Sequence, residues 1–99
     1  PSSFLIEKTK KEALSVLKKV EEGVSFDSFY SSYSGGDLGF FRRGTFIKEF
    51  EKVAFSLKEG EFGGPVLSPL GFHLIRLNRR LGEKIDASHI LFPLSVVLC

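Results

Sequence analysis

No methionine and no tryptophan occur in this chain, and cysteine occurs once, as Cys99. One cysteine cannot form an internal disulfide. Together with two histidines it shows none of the close pair spacing of a zinc site, so neither a metal nor a cofactor is expected. The missing methionine and the opening Pro1-Ser2-Ser3-Phe4 read as a fragment or a processed piece of a longer protein. That opening is not a signal peptide, and a targeting segment elsewhere in a parent protein stays open. No run reaches the roughly 18 to 20 apolar residues of a membrane span, so membrane insertion is not expected. Neither sign of charge dominates: fourteen Lys and Arg against twelve Asp and Glu give +2, spread along the chain, which does not suggest nucleic-acid binding.

What is present suits one core. With 99 residues, 42% hydrophobic and 13% aromatic, the chain is expected to form a single domain over 1–99. Thr9-Lys10-Lys11-Glu12 has the form of a capping box, and Ala13, Leu14, Leu17 and Val20 recur at helical spacing. Lys18 and Lys19 suit a last turn and Gly23 a left-handed close, so a helix is predicted over about 9–22. Ser25 is a plausible N-cap for a shorter helix whose Phe26, Phe29, Tyr30 and Tyr33 form an aromatic stripe, read as core packing.

Ser34-Gly35-Gly36-Asp37-Leu38-Gly39 marks a tight loop feeding a short strand at 38–41; it lacks the pattern of a phosphate loop. Phe46, Phe50, Val53, Ala54 and Leu57 predict a third helix over about 46–58. Residues 64–68 and 72–77 read as two strands joined by Ser68-Pro69-Leu70-Gly71, the first at a sheet edge because Pro65 has no amide to donate. Residues 85–92, reached through a short linker, are expected to pair antiparallel with 72–77. The sum is an α+β domain with about four strands covered by helices.

Gly36-Asp37-Leu38-Gly39-Phe40-Phe41-Arg42-Arg43-Gly44, the run from Phe50 to Glu61, Gly64-Pro65-Val66 and Gly71-Phe72-His73-Leu74-Ile75 follow one another with the order and spacing found in parvulins. The chain thus resembles a parvulin-type (PpiC-type) peptidyl-prolyl cis/trans isomerase, or rotamase, over residues 8–80. Ala87-Ser88-His89-Ile90-Leu91 is similar to the strand that opens the same family. The implied fold is parvulin-like (FKBP-like): a four-stranded antiparallel sheet whose first strand is supplied by the C-terminal segment at 85–92.

Two histories fit, a circular permutant or a piece of a tandem-domain protein. Without this strand the sheet would lose a central member and leave two rows of backbone groups unpaired. Closure within one chain, and hence a monomer, is favoured over a strand-swapped dimer.

In strands, residues two apart share a face, so His73 and His89 can meet across neighbouring strands. From the residues alone, a satisfied structural pair is the plainer reading. The resemblance implies a hydrogen-bonded pair in the catalytic pocket, with Leu38, Phe46 and Phe50 seating the substrate proline and Ser68 beside the histidine strand. Leu70 stands where some members have a polar residue. The loop that usually presents a Cys or Asp is shortened here to Tyr33-Ser34, so an isomerase of low activity is expected; a catalytically silent peptide-binding or chaperone module is the alternative. The uncharged run from Pro93 to Cys99 argues against phosphoserine preference. By the same resemblance the partners are proline-containing peptides or unfolded proteins, and the location is bacterial and periplasmic or otherwise extracytoplasmic.

Overall fold

The computed structural model describes residues 3–94. Helix α1 (Ser3–Glu21) leads through a 3₁₀ turn (Phe26–Phe29) to strand β1 (Ser34–Phe41) and helix α2 (Lys48–Ala54). Strands β2 (Phe62–Ser68), β3 (Gly71–Leu81) and β4 (Lys84–Pro93) follow. Cys99 and most of the uncharged run after Pro93 lie outside the described residues.

The architecture is α+β, two helices with a four-stranded antiparallel sheet in the order β1-β4-β3-β2. In chain order the sheet opens with β1, in the N-terminal half, and not with the C-terminal segment. That segment comes last in the chain yet sits inside the sheet, paired to β1 on one side and β3 on the other. A tight hairpin makes this possible: Leu81 pairs with Lys84, and Gly82 takes the left-handed φ of +61° that the first turn position requires. Pro65 lies on β2, an edge strand, as its missing amide demands.

Side chains of the inner strands alternate between two cores. Phe72, Leu74, Ile90 and Phe92 pack with Ala13, Val16 and Val20 of α1. On the other face Ile75, Leu77, Ile85 and Ala87 pack with Phe50 and Ala54 of α2. Because both faces are covered, β3 buries five residues in succession from its start, and a period of two is invisible in its hydrophobicity.

Four local expectations are corrected. Helix α1 starts two turns before Thr9, which is 6% exposed in mid-helix and does not cap it. The buried stripe Thr9, Ala13, Val16 and Val20 extends backward to the half-buried Leu5 and Ile6, and that burial outweighs the local cap signal; Leu14, expected inside, is exposed. The second helix is a single 3₁₀ turn: the Ser25 side chain makes no cap, and the Ser28 hydroxyl instead donates to the Ser25 carbonyl at 2.6 Å. Its aromatics do pack as core, with Phe26 stacked on Phe62 and Tyr33 tilted against Phe92.

The glycine-rich segment is part of β1 rather than a loop before it. Finally, α2 is only seven residues long. At its start the Glu51 carboxylate gathers the amides of residues 44–46 into a turn, and at its end Arg80 takes the carbonyls of Phe55 and Leu57. Side chains claim backbone groups at both helix ends, so Phe46 and Leu57 fall outside it.

Candidate functional site

The register opposes His73 to Leu91 and Ile75 to His89, so the two imidazoles meet on the diagonal, on the face covered by α2. Their Nδ1 atoms are 3.4 Å apart and the rings lie 23° from parallel. Phe50, 3% exposed, sets the edge-to-face contact against both, with centroids at 5.5 and 5.9 Å.

Ser68 supports the pair from beneath. Its hydroxyl oxygen accepts the Leu70 amide at 3.1 Å and lies 2.7 Å from His73 Nε2, against 3.4 Å from the Gly71 carbonyl. These contacts hold the His73 ring in place, with donor and acceptor along Ser68–His73–His89 following the tautomer of His73. His73 is 4% exposed, and burial first, then the neighbouring His89, pushes its pKa down from 6.5 to about 4. Burial lowers that of His89 as well. The pair is therefore uncharged at neutral pH.

Above the imidazoles opens a cavity of about 400 Å³. Leu38, Phe46, Ile47, Phe50 and Leu70 give it an apolar lining, joined by Thr45 and both histidines. Leu38 is aimed here by a bulge: Asp37 pairs with Ser88 and Gly39 with Ala87, which leaves Leu38 as the extra residue. Ser68 is not on the cavity wall but buried behind His73. Asp37 is directed elsewhere, accepting hydrogen bonds from Ser88 at 2.5 Å and Tyr30 at 3.2 Å; the Ser88 bond leads in holding its carboxyl below the usual range.

Two parts of the site escaped the sequence reading. Glu51, 7% exposed, accepts the amides of Gly44, Thr45 and Phe46 at 2.8, 2.9 and 2.7 Å, and so fixes the segment that carries the Phe46 wall. Burial pushes its carboxyl up, but the three amides and nearby Arg43 outweigh that and hold it below the ordinary carboxylate range. An acid in a helical segment, six to seven residues after a Gly-Thr pair, was the signal available. The second is Gly35, where a Cβ would run into the His89 carbonyl; no side chain fits between β1 and the strand that carries His89.

A helix-flanked antiparallel sheet thus carries an apolar cleft with an uncharged imidazole pair in its lining. Among the described residues no three metal-ligating side chains gather. Residues 4–79 match the family described as Rotamase, PPIC-type PPIASE domain, and the chain belongs to that family, the parvulins. Curated relatives agree. The chain is 35% identical to the foldase protein PrsA of Geobacillus kaustophilus over 91 residues, covering 84% of this chain and 32% of that protein. It is 36% identical to PrsA of Bacillus subtilis, covering 86% of this chain and 32% of that protein. To the chaperone SurA of Thiobacillus denitrificans it is 34% identical, over 73% of this chain and 18% of that protein. The chain thus spans a third or less of each of these relatives.

Proposed function

We propose that this domain accelerates cis/trans isomerisation of Xaa-Pro bonds in unfolded or extended polypeptides and so assists their folding. The observation that carries this reading is the apolar cleft walled by Leu38, Phe46 and Phe50 over the His73–His89 pair.

Rotation about the prolyl bond meets a barrier of about 20 kcal/mol because the amide loses conjugation as it twists. No bond to the substrate needs to break. A proline ring seated against Leu38, Phe46 and Phe50 leaves its amide in an apolar surrounding, where the planar amide, with its larger charge separation, loses more solvation than the twisted one. The imidazole pair, neutral and locked by Ser68 and Phe50, supplies fixed dipoles near the carbonyl without a charge that would bind the planar ground state equally well. His89 and His73 are the polar centre in this reading, Leu38, Phe46 and Phe50 the proline seat, and Ser68 a positioning residue that holds the His73 ring.

We also read β4 as the displaced first strand of the family. The match to the family ends at residue 79, yet the strand carrying His89 fills an inner position of the sheet. On this reading residues 8–80 are the family core, 85–92 complete it within one chain, and 1–99 act as one domain, a monomer. An extracytoplasmic bacterial location goes with the same likeness. Exchange spectroscopy on a short Xaa-Pro peptide tests the activity: faster cis/trans exchange is expected with the domain, and no acceleration above background defeats it.

A second reading, peptide binding without turnover, is favoured by one observation. Among the described residues no thiol or carboxylate lines the cleft. Peptide-dependent chemical-shift changes at Phe46 and Phe50 without exchange enhancement would single it out.

A further inference from the structure

A second cavity, of about 420 Å³, shares no lining residue with the first. Arg42 and Arg43 reach it from the end of β1, Phe55 from the end of α2, and Arg80, Gly82 and Glu83 from the β3–β4 hairpin. Three guanidinium ions against one carboxylate make it cationic in a chain whose net charge is only +2.

The three arginines are held differently. Arg80 is anchored, donating to the carbonyls of Phe55 and Leu57 at 2.7 and 2.9 Å. Arg43 lies with its guanidinium carbon 4.4 Å from the centre of the Phe55 ring, and its charge also acts on the buried Glu51 carboxylate. Arg42 meets Glu83 at 3.4 Å, with side chains 61% and 89% exposed, so this pair is weak and an incoming carboxylate can displace Glu83.

Phe41 lines neither cavity but touches one aromatic ring of each. Its ring meets Phe46 edge-on at 4.7 Å on the apolar side and Phe55 at 5.7 Å on the cationic side. The Phe46 and Phe55 rings are therefore at most about 10 Å apart, within the reach of about three residues of extended chain.

We propose that the cationic cavity is a further subsite for the bound polypeptide, taking an Asp or Glu side chain about three or four residues from the proline. This rests on the proline-seat reading above. Phe55 offers an apolar floor for the methylenes of the acid, and Arg42 receives its carboxylate with the charge of Arg43 beside it. The cavity lies between the β3–β4 hairpin and the end of α2, one contact away from the wall of the apolar cleft, which favours a side chain of the polypeptide bound there over a membrane surface.

The test titrates ¹⁵N-labelled domain with short peptides bearing one Xaa-Pro and either Glu or Gln about three residues away. A proline-free Glu peptide and phosphatidylglycerol vesicles serve as further probes. At low salt the Glu peptide is expected to bind roughly threefold tighter than the Gln peptide and to shift the amides of Arg42, Arg43 and Gly82. Arg42→Gln should abolish that preference, Glu83→Gln should enlarge it, and salt of about 0.3 M should erase it. Equal affinities with no shifts at those amides overturn the proposal. Vesicle binding that needs Arg42 without any Glu preference overturns it too. Shifts at Arg42 and Gly82 with the proline-free Glu peptide, while no peptide shifts Phe46 or Phe50, support the acidic subsite and sink the proline seat.

Discussion

His73 makes the stability of this domain depend on pH in a direction that can be worked out in advance. Its ring is 4% exposed and holds its pKa at about 4, first because burial penalises the imidazolium and second because His89 lies beside it; in the unfolded chain the value returns to 6.5. Between those values the unfolded state binds the proton and the folded state does not, so acid favours unfolding. The contribution is fully present above pH 6.5 and is lost as pH falls toward 4. Each pH unit inside the window is worth up to about 1.4 kcal/mol, and the whole interval roughly 3 kcal/mol. A domain of this size is held by about 5 to 15 kcal/mol, so the loss is a large fraction of the total.

Chemical denaturation followed at intervals from pH 6.5 to 5.0 isolates the effect, because the depressed carboxyls of Asp37 and Glu51 keep their contributions until the pH falls below their unfolded values. His73 alone should remove roughly 1.5 kcal/mol over that range, with His89 adding in the same sense. His73→Gln keeps a partner for Ser68 and should flatten the slope by that amount. Equal slopes in the two proteins, or a His73 ring that titrates near 6.5 in NMR spectra of the folded protein, would refute the reasoning.

Glu51→Gln sets an amide NH₂ against backbone donors at residues 44–46; a loss of about 1 to 3 kcal/mol is expected by denaturation, with Xaa-Pro peptide affinity falling as the Phe46 wall loosens. Glu51→Asp, which keeps the charge, should recover part of the affinity, whereas a purely structural role would leave affinity unchanged in the folded fraction. Gly35→Ala drives a methyl group into the His89 carbonyl and should lower stability by about 1 to 3 kcal/mol while moving the ring signals of both histidines; unchanged ring signals would count against the close approach of β1 to β4. Ending the chain at Arg80 removes an inner strand, so the shortened protein should not fold by circular dichroism. A peptide of residues 84–94 should restore the folded spectrum, and a cooperatively folded shortened chain would refute the place given to β4.

Much of the fold was legible because its signals are local. Pro65 lacks an amide wherever the chain goes, so an edge strand followed from one residue. The short linker at Gly82 left β4 little choice but to return along β3. Helix limits were less legible because ends are settled by competition for backbone groups: Glu51 is distant from residues 44–46 only in chain order, and Arg80 reaches Phe55 across 25 residues. Thr9 shows the same contest from the other side, since a valid cap signal lost to a buried stripe that continued past it.

The residues of the candidate site divide in the same way. Strand spacing allowed His73 and His89 to meet, and the resemblance to parvulins added Leu38, Phe46 and Phe50 as candidates, because side-chain type and motif order are properties of the chain alone. The uncharged state of the imidazole pair, the bulge that aims Leu38 into the cleft, and the seat of Ser68 behind His73 instead of on the wall were decided by the folded sheet. Desolvation, register and close approach exist only between segments far apart in sequence. The order of residues therefore carried the chemistry available to this domain, and only tertiary contact determined which of those groups face the cleft and in which protonation state.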